Sequence, residues 1–167
     1  MARNVKFWIV ANLMAIVLFL VYTTYQKEEI LRSGTLILLE LIPSDPRSLI
    51  QGDYMDLRYL ISSPEQLPQR GEKGSERKGY CVVERGEDGV AILKRYQLHP
   101  TPLAEDEFLI AYKRSASRVS LGAESYFFEE GSQEKFLDAR YGGLKVDAKG
   151  NSILIGLYDV HKNLIQP

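Results

Sequence analysis

Residues 7–25, FWIVANLMAIVLFLVYTTY, carry no charged side chain. At roughly 1.5 Å rise per residue, a helix of that length spans about 30 Å, the thickness of a bilayer's hydrocarbon core. Phe7 and Trp8 stand at one end and Tyr22 and Tyr25 at the other, where aromatic rings settle among headgroups. A soluble core helix of this length normally keeps a polar face, whereas here Asn12 alone interrupts the apolar surface before Thr23. A cleaved signal peptide would have a shorter apolar region and a small-x-small site, which Val21-Tyr22-Thr23-Thr24-Tyr25 does not offer. The stretch reads as an uncleaved transmembrane anchor.

On its N-terminal side, Arg3 and Lys6 stand without an acid, which favours a cytoplasmic tail over residues 1–6. Lys27 and Arg32 flank the other end, so the contrast in positive charge is small. The expected order is tail 1–6, anchor 7–25, a polar stem over 26–33 that continues the helix until Ser33-Gly34 breaks it, and an extracytoplasmic domain over 34–167.

The whole chain has 167 residues, enough for one domain and an appendage. Its 22 acidic and 21 basic groups nearly cancel, which excludes an acidic disordered tail and argues against a nucleic-acid binder. A single cysteine permits no internal disulfide framework, and two histidines are too few for a multi-histidine metal centre. Cys81, in the apolar run Tyr80-Cys81-Val82-Val83, reads as a small buried hydrophobe.

Beyond the stem the pattern is mainly β. Thr35 to Ile42 is a near-continuous apolar run between Gly34 and Pro43, the pattern of a strand covered on both faces. Ser44 or Asp45 could cap one helical turn, with Pro46 at its first position and Gly52 at its end. From Asp53 the period becomes two: Met55, Leu57, Tyr59 and Ile61 share one face, and Tyr54, Asp56, Arg58 and Leu60 the other. Ser62 to Gly79 is a hydrophilic surface loop. A hairpin is expected from Lys78–Val83 and Val90–Leu98 around Gly86-Glu87-Asp88-Gly89, then a strand Phe108–Tyr112, a short strand Arg118–Leu121 and an extended Tyr126-Phe127-Phe128. Ser132 to Arg140 reads as the one proper helix of the domain, capped by Ser132, anchored by Phe136 and Leu137 and ended by Gly142-Gly143. A final hairpin joins Leu144–Val146 to Ile153–Tyr158. The expected fold is a small barrel or sandwich with one short helix, preceded by a single transmembrane helix.

The strongest local signal is Gly52-Asp53-Tyr54-Met55-Asp56-Leu57-Arg58-Tyr59. It resembles the pattern that names the GDYXXLXY family of bacterial membrane-associated proteins. Pro43-Ser44-Asp45-Pro46-Arg47 with Leu49, and Tyr126-Phe127 followed by Glu130-Gly131, resemble that family's lead-in and later segments. The resemblance implies a membrane anchor, an exported domain and a gene neighbourhood of multi-pass membrane proteins. It carries no assigned catalytic residue.

Two readings of the motif stand side by side. In one it is a buttressed turn, with Gly52 allowing a sharp entry and Asp53 accepting turn N–H groups. In the other, Asp45, Arg47, Gly52, Asp53, Tyr54, Arg58 and Tyr59 form a partner or ligand surface, since polar and aromatic groups on loops are common binding elements. Arg47 and Arg58 stand close enough in sequence to pair with Asp45, Asp53 or Asp56.

Catalytic readings are weaker. The Pro-Arg approach to Gly-Asp loosely resembles a signal-peptidase turn, but Ser44 and Ser48 have no lysine base before Lys73. A carboxylate pair drawn from Glu129, Glu130 and Asp138 is no signal in a chain with 22 acids. His99 and His161 have no ligand at useful spacing, so no metal or cofactor is expected. The reading favours a non-catalytic accessory subunit in a bacterial inner membrane. Its partners would be the lipid bilayer and a multi-pass membrane protein, the latter met through Asn12 on the anchor, with no nucleic acid. The alternative is an envelope hydrolase, signal-peptidase-like or carbohydrate-directed, or a small-ligand binder.

Overall fold

The computed structural model describes residues 2–42, 54–63, 66–67, 76–115, 118–129 and 131–166. A helix α1, Ala2–Ser33, leads into nine strands: β1 Thr35–Glu40, β2 Tyr54–Asp56, β3 Lys78–Arg85, β4 Ala91–Gln97, β5 Glu107–Arg114, β6 Val119–Ser120, β7 Ser125–Phe127, β8 Tyr141–Val146 and β9 Ser152–Tyr158. Single turns of 3-10 helix sit at Leu60–Ser62 and Gln133–Phe136.

Helix α1 is long and apolar enough to cross a membrane from Lys6 onward, and none of its apolar window is buried against the domain. The polar stem continues it to Ser33: Arg32 pairs with Glu28 one turn earlier at 2.6 Å, and Ser33 Oγ donates to the Glu29 carbonyl at 2.8 Å. Gly34 ends the helix because no side chain fits. Its N–H donates to the Ile30 carbonyl at 2.9 Å, and a β-carbon there would lie 2.4 Å from that oxygen. The helix end is tied to the domain through buried Ile30 and through Lys145, whose ammonium bonds the Leu31 carbonyl. A cation at that position also complements the negative end of the helix dipole.

Among the described residues the strands form three sheets ordered β1-β8-β9, β4-β3-β5-β6 and β2-β7, with every strand-to-strand pairing antiparallel and no barrel closure. The two larger sheets share one core, in which Ile37, Leu39, Leu144 and Leu157 meet Cys81, Val83, Ile110 and Tyr112. Strand β1 is covered on both faces in its middle, since Ile37, Leu38 and Leu39 are all buried. The two expected hairpins form around turns that suit their residues. Gly89 and Gly150 take positive φ of 83° and 85°, and Asp88 and Asp147 accept turn N–H groups.

Three expectations are corrected. The segment after Ser132 is one 3-10 turn rather than a helix to Arg140, and Ser132 makes no side-chain cap bond. Phe136 does anchor it, wedged against Tyr126 and Phe128 at ring separations of 5.2 Å, but Leu137 is 62% exposed. Gly142 and Gly143 do not end a helix; they lie inside β8, where Tyr59 and Tyr158 pack onto them. The stretch after Asp53 is not one strand. It pairs with β7 over Tyr54–Asp56, then changes neighbour, bridging Leu41 through Tyr59 before turning into the 3-10 segment. Its alternation survives that change, with Leu57, Tyr59 and Ile61 all buried. The expected helical turn before Gly52, and most of the hydrophilic loop, lie outside the described residues.

Candidate partner-binding surface

The two halves of the motif segment face opposite ways, as period two requires. On the inner side Met55 and its cross-strand partner Tyr126 pack on the core. Leu57 and Tyr59 follow them inward. The Tyr59 side chain is fully buried, and its hydroxyl donates to the Ala123 carbonyl at 2.5 Å. Burial, then the nearby Glu124 charge, raises the Tyr59 pKa far above the usual tyrosine range. This ring is core, shielded from any partner approaching through solvent.

Glu124 organises the facing loop. Its carboxylate accepts from the Leu121 N–H, from the Gly122 N–H at 3.1 Å and from Ser120 Oγ at 2.9 Å. Its carbonyl accepts the Leu57 N–H at 2.7 Å. A second tyrosine fastens the end of the motif segment: Tyr96 donates to the Ile61 carbonyl at 2.6 Å and meets Tyr112 edge-on at 5.4 Å. Burial raises the pKa of Tyr96, pushes that of Tyr112 to about 12 and pushes the Cys81 thiol up to about 12. Cys81 is therefore an inert core residue at neutral pH, as its apolar neighbours in sequence imply.

The outer side is different. Tyr54 lies opposite Phe127 in register, with ring centroids 5.8 Å apart and tilted by 39°. Phe127 is 73% exposed, an unusual position for a phenylalanine on a short strand. Next to this pair, Asp56 accepts from Arg118 at 2.9 Å and faces the Arg58 guanidinium at 3.9 Å. The Asp56 bond holds the Arg118 pKa above its ordinary value. Two aromatic rings thus sit beside an acid flanked by two arginines, all carried on β2, β7 and the segments next to them.

Of the residues expected at a site, Tyr54 and Arg58 share this surface and Tyr59 sits beneath it. Asp45, Arg47, Gly52 and Asp53 lie outside the described residues, as do Ser44, Ser48, Lys73 and Glu130. The aromatic run Tyr126-Phe127-Phe128 reads from sequence as core packing ahead of a partner platform, which Phe127 at 73% exposure corrects, and Arg118 carries no site signal. Strict alternation within Tyr126-Phe127-Phe128 would have placed Phe127 outward once its neighbours were assigned to the core. No local signal marked Arg118, which reaches Asp56 only through the fold. On α1, Asn12 is exposed beside Trp8, Ile9, Leu13 and Ile16 on the helix surface. Among the described residues, no group of three His, Cys, Asp or Glu is placed to hold a metal ion.

Comparison with curated proteins and with solved structures finds no match. A family model described as GDYXXLXY protein matches residues 16–157, from the middle of α1 to the last strand. That match runs through every sheet and through the buried and exposed halves of the motif alike, and the chain belongs to the GDYXXLXY family.

Proposed function

We propose that this protein is a non-catalytic accessory subunit of a bacterial membrane assembly. Helix α1 anchors it in the cytoplasmic membrane, and its β-rich domain stands on the extracytoplasmic side to contact a multi-pass partner. The observation that carries the reading is the outward face of the β2-β7 sheet. Exposed Phe127 stacked on Tyr54, beside the Asp56–Arg118 pair, has the aromatic and arginine character of interaction hot spots. Asn12 adds a second contact, because an exposed amide in a bilayer gains from a hydrogen-bonding neighbour helix.

The alternative of a hydrolase or small-ligand binder has less to draw on. Among the described groups with large shifts, burial moves Tyr59, Tyr96, Tyr112 and Cys81 away from ionisation at neutral pH, and Arg95 holds Glu107 in its ion pair.

The test is mild detergent extraction of the full chain with a C-terminal tag, followed by mass analysis. The expected result is a stoichiometric multi-pass protein whose recovery falls in the Tyr54→Ala/Phe127→Ala double variant and in Asn12→Leu. A clean monomer, or a partner retained equally by all variants, overturns the reading.

A further inference from the structure

A cleft of about 1120 Å³ separates the last turns of α1 from the domain. Its helix wall runs from Tyr22 and Tyr25 down to Ser33, so it begins at the interfacial tyrosines that would mark the edge of the hydrocarbon core. Its domain wall carries Lys78, Lys113 and Lys149, together with Leu98, which is 47% exposed.

The charge in this cleft is one-sided. Four lysines, the fourth being Lys27, line it against two carboxylates, Glu29 and Asp147. Asp147 is occupied by its own turn, accepting from the Lys149 and Asn151 N–H groups at 2.9 and 2.8 Å and from the Asn151 amide at 2.8 Å. Lys78 and Lys113 stand directly opposite each other in the β3-β5 register. Like charges at such a position repel and lower the stability of the sheet. Among the described residues neither makes an ion pair, unlike Lys94 with Glu84 and Arg95 with Glu107 in the same sheet. Both side chains are exposed, so the pair presents concentrated positive charge to an anion entering the cleft.

We propose that this cleft takes the headgroups of anionic phospholipids from the leaflet next to Tyr22 and Tyr25. The lysines would meet headgroup phosphates, while exposed Leu98 would enter the apolar boundary beside them. The domain would then lie against the bilayer rather than hang from a free stem. This proposal rests on the reading that α1 spans a membrane.

The test uses the full chain in nanodiscs of phosphatidylcholine, with and without phosphatidylglycerol. A fluorophore is placed at Leu98→Cys, and its quenching by a headgroup nitroxide is read; Cys81 is fully buried and leaves the label selective. A second label at Phe19→Cys, quenched by an acyl-chain nitroxide, reports insertion of α1. The expected result is an inserted helix in both discs, with stronger Leu98 quenching when phosphatidylglycerol is present. Each lysine near an anionic surface changes the ratio of docked to undocked domain by roughly fivefold. The Lys78→Gln/Lys113→Gln/Lys149→Gln variant, and high salt, should abolish the difference. An inserted helix with equal Leu98 quenching in both discs overturns the headgroup proposal alone, as does an unaltered triple variant. An unquenched Phe19 label overturns the spanning helix itself, and the cleft proposal falls with it.

Discussion

The ring of Tyr59 occupies the space where a side chain at Gly142 would stand: a β-carbon there would lie 2.9 Å from Cε1 and 3.1 Å from the hydroxyl oxygen. The family motif's last tyrosine and a glycine of β8 are thus one packing unit, and β8 is the central strand of its sheet. Aromatic cover of a strand glycine restores the contacts that the missing side chain gives up.

That unit predicts a destabilised Gly142→Ala variant. Tyr59 is fully buried and held by its bond to Ala123, so it cannot swing aside. Overpacking of this kind costs about 1–3 kcal/mol. Tyr59→Phe keeps the ring but leaves the Ala123 carbonyl without its donor, a loss of about 1 kcal/mol or somewhat more. Denaturant melts of the full chain in detergent check both, and an unchanged midpoint in Gly142→Ala would show that the ring is not fixed.

Phe136 and Leu137 are neighbours with opposite fates. Phe136 is 1% exposed within an aromatic cluster, and Leu137 is 62% exposed. Phe136→Ala should therefore cost about 3–5 kcal/mol. Leu137→Ala should stay within about 0.5 kcal/mol of the parent. A genuine helix from Ser132 to Arg140 with both residues as anchors would make the two losses comparable, so thermal melts of the pair separate the two structures.

Glu107 gives a prediction about acid. Arg95 grips its carboxylate with two bonds, of 2.5 and 2.8 Å, and the Ala104 N–H adds a third at 3.0 Å. These bonds, led by the one from Arg95, hold its pKa down to about 2, against an ordinary 4.5. A carboxylate depressed in the folded state contributes its stability above the ordinary range. That contribution is lost as pH falls from about 4.5 towards about 2. Glu107→Gln should be less stable at neutral pH and should lose less on acidification across that window. Melting temperatures of both proteins measured through the window check it, and parallel curves would refute it. Asp88 and Asp159, also depressed by hydrogen bonds, keep some acid sensitivity in the variant.

Much of this architecture is local chemistry and was legible in the chain. The long apolar helix follows from an uncharged stretch over residues 7–25, and the break at Gly34 from a residue with no side chain. The two hairpins follow from Gly86-Glu87-Asp88-Gly89 and Asp147-Ala148-Lys149-Gly150-Asn151, whose Asx and glycine residues satisfy their own turns. The inward set Leu57, Tyr59 and Ile61 follows from period two, because alternation reports which face is covered.

Alternation does not report what covers it, and there the tertiary structure decided. The motif segment divides between β7 and Leu41, and that choice depends on strands brought together only by the fold. Gly142-Gly143 has the composition of a helix stop, yet it is strand because Tyr59 and Tyr158 arrive from elsewhere to fill the space. Arg118 reaches Asp56, and Lys78 comes to face Lys113, through pairings distant in sequence. Turns and apolar runs carry their physics within a few residues, whereas a binding face is made of residues whose nearness the register alone creates.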